Sequence, residues 1–472
     1  MTKTLSILLS IALSLSTMAV DFSANVLAPS VIGDINNPQA ESAEWDNFKK
    51  DLLKMKELGV NSVATHIWWG AVETTDNEFS WDYYKKVSAL IINSGLKWVP
   101  IISFHQCGGD EDDNCYIPLP KWIWSKYVSS NKDVVDTSDL KFVGERGELS
   151  ESFISVWATD KVLEDYKELL TSFRTNFSNE AEHISEITVG LGPDGELRYP
   201  SNNFKELNAQ DTTRGSLQAY SNLAKISFQK YIKEKYKTLD NINSAWSVQL
   251  TEIEEVLPPK ASTFYVNEEY KSKYGNDFYD WYNKSLIDHG ELLLSTSIRV
   301  FNDEVSPFKG IAIGGKLPGI ANRTSPGSDR LAELNAGLIR SSDDIWNVEK
   351  IGNGYEKIIS TFKNSKDLTQ FENVTLHLSC IEKGNIIDGE TLISNGQDLV
   401  FEVSKVAKSM GLTIKGQTSS AANLGSNVPW DNMWKAIQGA NYQGLTVINM
   451  SDIATNPLAY DFYKWIIENM KD

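Results

Sequence analysis

Cysteine is scarce in this 472-residue chain, which has only Cys107, Cys115 and Cys380. No histidines stand around them at metal-ligand spacing, so a zinc site is not expected. Basic charge is also short: 45 Lys and Arg face 63 Asp and Glu, a formal net charge of −18. That deficit argues against a nucleic-acid partner, whose phosphate backbone needs basic surface. After the first nineteen residues no stretch is long and apolar enough to span a bilayer, so no membrane anchor is expected. A Gly-rich dinucleotide or P-loop signature is missing too. No cofactor and no metal are expected. Nor does a low-complexity linker or a break in composition divide the chain.

What is present starts at the N-terminus. Lys3, the apolar run Leu5–Leu15 and the small-x-small triplet Thr17-Met-Ala19 read as a cleavable export signal over residues 1–19. The mature chain, residues 20–472, is expected to be soluble and secreted or lumenal. In an oxidising compartment Cys107 and Cys115 can close one small loop, with Cys380 left buried and free. Aromatic residues are plentiful, at 14 Trp, 18 Tyr and 18 Phe. Their faces suit sugar rings as well as cores.

Eight strand-like runs recur along the chain: Asn25–Pro29, Ser62–Trp68, Trp98–Phe104, Ile187–Leu191, Gly310–Gly315, Thr375–Cys380, Leu412–Lys415 and Leu445–Met450. Several are near-continuous apolar runs, as parallel strands buried on both faces require. Between them lie helical patterns over Trp45–Leu58, Tyr83–Ile92, Leu217–Tyr236, Phe278–Phe301, Leu399–Met410, Met433–Ala440 and Ala459–Met470. Eight strands alternating with helices predict a (β/α)₈ TIM barrel as a single catalytic domain. The intervals 105–186 and 192–309 are too long for one helix each and predict extra loops over the barrel mouth after strands 3 and 4.

Chemistry-bearing residues fall just past strand ends, where barrel enzymes carry their active sites. His105 follows the third strand, Glu196 the fourth, Lys316 the fifth and Glu382 the sixth. Two carboxylates on one rim suit glycoside hydrolysis, in which one acid donates a proton and the other stays ionised.

The segments His105-Gln-Cys-Gly-Gly109 with Asp113, and Gly192-Pro-Asp-Gly-Glu196-Leu-Arg-Tyr-Pro-Ser201, resemble the two signatures of the β-amylase family. Trp68-Trp-Gly70 and Ser379-Cys-Ile-Glu382 fit the same pattern. The resemblance implies inverting exo-hydrolysis of α-1,4-glucan from the non-reducing end, releasing β-maltose. It implies Glu196 as general acid and Glu382 as general base. Asp113 and His105 would hold the non-reducing end, and Lys316 would bind sugar hydroxyls. A polysaccharide or oligosaccharide partner and a monomeric state are expected.

Departures fall on the sugar-reading positions. The loop Gly109-Asp-Glu-Asp-Asp113 carries acids where the family has an Asn-Val-Gly-like stretch, and reads as a solvated acidic loop. His66 stands where the family has an Asp. Ala321-Asn322 replaces a His-Trp pair, Gly416-Gln-Thr-Ser419 replaces Gly-Glu-Asn-Ala, and Asn449 replaces an Arg. His66 and Thr418 are therefore altered substrate-binding candidates. Two alternatives stay open: the same mechanism on a different glycan, or a non-catalytic carbohydrate-binding barrel.

Overall fold

The computed structural model describes residues 22–109, 114–128, 133–201, 214–321, 330–340, 354–389, 391–419 and 424–470. The export segment 1–19, Asp113 and Asn322 lie outside the described residues.

Eight parallel strands close into a barrel: β1 (Ser23–Leu27), β2 (Ser62–Trp68), β3 (Lys97–Ser103), β4 (Glu186–Val189), β5 (Ala312–Leu317), β6 (Val374–Ser379), β7 (Thr413–Gln417) and β8 (Gly444–Val447). Consecutive strands pair, and β8 returns to β1 through the partners Ser23 with Gly444 and Val26 with Val447. Every strand expected from the apolar runs is present, with ends shifted by a few residues. The shift is understandable, since residues such as Ile448 and Met450 stay apolar after β8 has left the ladder.

Helices connect the strands. Ala43–Leu58 buries Trp45, Phe48, Leu52, Met55 and Leu58, a stripe at three- and four-residue spacing. It stops at Gly59, whose left-handed φ of 93° closes the last turn by donating its N–H to the carbonyl of Lys56. Two helices not anticipated from the sequence, Thr159–Asn176 and Glu356–Thr369, complete the outer ring. The long connection after β3 holds a short ribbon, Phe142–Val143 with Leu149–Ser150. The connection after β4 contains more helix than expected, with Asn222–Tyr236 and Leu239–Trp246 preceding the 29-residue helix Lys273–Phe301.

Strand alternation sorts the core. Along β2, Val63 and Ile67 join the main apolar core, while Ala64 belongs to a small separate cluster with Leu27, Val99 and Ile101. The strands are less uniformly apolar than expected for burial on both faces. Glu186 of β4 is buried and bonds His377 of β6 at 2.5 Å and Lys415 of β7 at 2.5 Å. Burial pushes the Glu186 carboxyl up, but Lys415 and His377 outweigh it and hold it down to about 2. A paired charge cluster thus occupies barrel space that aliphatic layers often fill.

Candidate active site

Glu196 reaches its place through a turn that closes on itself. The Leu191 N–H donates to the Gly195 carbonyl at 3.3 Å, and the Glu196 N–H donates to the Pro193 carbonyl at 2.9 Å. Two glycines make this geometry possible. Gly195 sits at φ +75°, and a side chain on Gly192 would lie 2.3 Å from the Glu196 carbonyl oxygen. Beyond the turn, Leu197 N–H donates to the Lys316 carbonyl at 2.8 Å, which ties the segment to β5.

The Glu196 carboxylate is held from both sides. Arg198 donates from Nε to Oε2 at 3.0 Å, and the Ser379 hydroxyl donates to Oε1. Arg198 also bonds Asp194, whose side chain remains open to the cleft. The cleft walls packed around Asp194 push its carboxyl up even though its outer face is open, yet Arg198, His105 and Lys316 outweigh them and keep it below the usual carboxylate range.

Glu382 lies three residues past β6 and is 5 % exposed. Its Oε1 accepts from the N–H and hydroxyl of Ser419, the former at 3.0 Å. Its Oε2 is buried and has no hydrogen-bond partner among the described residues. Cys380, the free cysteine, stands at φ +64°; burial, above all, pushes its thiol up, and the Glu196 and Glu382 carboxylates act in the same direction.

His66, Asp194, Lys316, His377 and Gln417 line a narrow cavity that runs from the mouth into the barrel interior, where Ala64, Val99 and Ile101 continue it. His66 Nδ1 lies 2.8 Å from Ser103 Oγ, whose own hydrogen goes to the Ile101 carbonyl at 3.1 Å. The ring therefore carries its proton on Nδ1, and Nε2 is left as an acceptor. His66 stacks on Trp68 at 4.5 Å and 10°, and His105 meets Trp68 edge-on at 5.3 Å. Burial, above all, depresses both imidazoles: His105 falls to about 3 and His66 well below its ordinary value. Both rings are neutral in the physiological range.

The structure thus gathers Glu196, His105, Lys316 and His66 about one mouth, with Glu382 at its β6 side. Thr418 is fully buried instead. Its hydroxyl accepts from the Ile448 N–H at 2.9 Å, so it joins the exits of β7 and β8, and its neighbour Gln417 lines the cavity. Asn449 stands at the N-cap position of the helix Met450–Thr455, and its side-chain amide donates to the Asp452 carboxylate at 2.7 Å. Ala321 is buried. Cys107 and Cys115 form the expected disulfide, with Cα atoms 5.8 Å apart. Arg198, Ser379 and Ser419, the immediate partners of the two glutamates, were not singled out from the sequence. Each lay inside a quoted segment, but a short polar side chain near a strand end does not reveal which neighbour it bonds.

The family model described as glycosyl hydrolase family 14 matches residues 34–470. A thermophilic beta-amylase of Thermoanaerobacterium thermosulfurigenes is 31% identical over 456 residues, which cover 94% of this chain and 76% of that protein. A beta-amylase of Cytobacillus firmus is 32% identical, covering 95% of this chain and 89% of its own length. Among solved structures, the catalytic domain of beta-amylase from Paenibacillus polymyxa superposes with a TM-score of 0.80 at 30% identity, covering 96% of this chain and 100% of that one.

Proposed function

The chain belongs to glycosyl hydrolase family 14, the β-amylase family, and from that premise we propose how its own residues divide the chemistry. The family makes it an exo-acting α-1,4-glucan hydrolase that releases maltose with inversion. Glu196 gives its proton to the glycosidic oxygen as the C1–O bond breaks. A water on the opposite face of the ring attacks C1 and yields its proton to Glu382. His105, His66 and Lys316 read sugar hydroxyls, and Asp113, in the sequence after β3, is the further substrate-binding candidate that the family pattern supplies.

The observation that carries this reading is the contrast between the two carboxylates. Arg198 and Ser379 orient Glu196 at the end of its turn. Glu382 is held at one oxygen by Ser419 and offers a bare, buried oxygen at the other, a suitable seat for a water. The N-terminal segment and the Cys107–Cys115 disulfide together support export to an oxidising compartment. No helix among the described residues is long and apolar enough to cross a membrane. A monomer is the simplest state consistent with a barrel mouth complete within one chain.

Maltooligosaccharides incubated with the protein and followed by NMR should show β-maltose as the first product. Glu196→Gln and Glu382→Gln should each lower kcat by roughly 100-fold or more with KM little changed. A variant that keeps full turnover removes its residue from the assigned role, and an α-anomeric first product would overturn inversion.

A further inference from the structure

His289 lies midway along the helix Lys273–Phe301, outside the cavity and 2 % exposed. Its Nε2 is 2.9 Å from the Leu191 carbonyl, and its Nδ1 is 2.6 Å from the Thr159 hydroxyl. A carbonyl can only accept, so Nε2 carries the ring's proton. In the neutral ring Nδ1 is then an acceptor, and it competes with the Val156 carbonyl, 2.8 Å from the Thr159 hydroxyl, for that hydroxyl's one hydrogen. Burial depresses the imidazole to about 4, so this neutral arrangement holds throughout the working range.

Leu191 opens the turn that ends at Glu196. Its N–H closes the turn on Gly195, and its buried carbonyl has His289 as its side-chain donor. The next helix residue, Gly290, packs against Leu197, the residue after Glu196: a side chain there would come within 2.9 Å of Leu197 Cδ1. One step of one helix therefore meets the chain on both flanks of the catalytic glutamate.

We infer that His289 is a positioning residue for Glu196, setting the proton donor's turn through the Leu191 carbonyl. The inference rests on Glu196 as the general acid. It differs from a packing role because the consequence is directional: loss of the Nε2–H donor leaves the Leu191 carbonyl buried and unpaired, and the turn shifts to find a partner.

His289→Asn can still accept from Thr159 but is too short to reach Leu191, whereas His289→Gln places an amide N–H near the position of Nε2. On maltooligosaccharides, His289→Asn is expected to lower kcat about tenfold or more with KM within about threefold, since misplacing a catalytic group costs turnover before binding. His289→Gln is expected to recover most of that loss. On α-maltosyl fluoride, whose leaving fluoride needs little proton donation, His289→Asn should lose much less than on glucan. A folded His289→Asn with unchanged kcat, a Gln variant no better than Asn, or equal losses on both substrates would each overturn the inference. Glu196→Gln run alongside keeps the two readings apart. If it retains glucan hydrolysis, the assignment of Glu196 has failed; if it is inactive while His289→Asn is unaffected, only the positioning role has failed.

Discussion

At the scale of single residues, Gln417 calls for an explanation. It pairs with Ser379 across the β6–β7 ladder, and Ser379 bonds Glu196. Register partners in a parallel sheet point to the same face, so Gln417 and Ser379 share the barrel interior beside the proton donor. The resemblance places a glutamate at this position, and an amide can take up no proton. Water activation consequently falls to Glu382. Gln417→Glu would supply a second acceptor near the reacting centre. The expected result is a rise in kcat on maltooligosaccharides of about tenfold or more, measured by reducing-sugar release. An unchanged or lower kcat would leave water activation with Glu382 alone. His66 belongs to the same scale. The sequence exposed its departure from the family, but its tautomer came from a hydroxyl on the neighbouring strand, Ser103, that no reading of spacing could have paired with it.

Elements show what local pattern can and cannot report. The helix Thr159–Asn176 buries Val162, Tyr166, Leu169, Leu170 and Phe173, an ordinary amphipathic stripe. The charges between these positions hid it within a long interval that read as loop. Strands were easier to locate because a buried parallel strand compresses apolar residues into one short run. The inward charges Glu186, His377 and Lys415 gave no sign of each other, being more than 30 residues apart in sequence and joined only by barrel closure. The loop after β3 offers a test at this scale. The Cys107–Cys115 disulfide brackets the sequence that contains Asp113, while the backbone of Cys107 is separately paired with Ile117 at 2.9 and 3.1 Å. Replacing both cysteines by serine frees the segment between them and spares the backbone pair. KM for maltooligosaccharides should rise severalfold, and thermal stability should fall by the modest amount expected for a short loop. A KM that does not move would separate this loop from substrate binding.

For the whole molecule, the buried ionisable groups decide how acid affects stability. His105, His289 and His66 are all depressed by burial, to about 3, about 4 and well below the ordinary value. Their unfolded counterparts take up protons as pH falls through about 6.5. Below that point the unfolded chain binds more protons than the folded one, so stability falls as pH decreases. Glu186, held to about 2 when folded, acts in the same direction once unfolded carboxylates titrate near pH 4. Each neutral buried histidine costs on the order of 1 kcal/mol per pH unit within its window. Calorimetric midpoints should therefore drop progressively from pH 7 to pH 4, and a flat profile would show that these rings are not held neutral.

The eight strands, seven of the helices and the family were legible in the amino-acid sequence. It also placed Glu196 and Glu382 past strand ends. Those are consequences of short-range pattern and contiguous motif, which survive in one dimension. Which side chains meet was set by the folded barrel: Ser379 with Glu196, Ser419 with Glu382, His289 with Leu191 and Gln417 with the cavity. Hydrogen bonds act over about 3 Å and ignore sequence distance. A barrel brings together residues whose separation along the chain carries no trace of the contact.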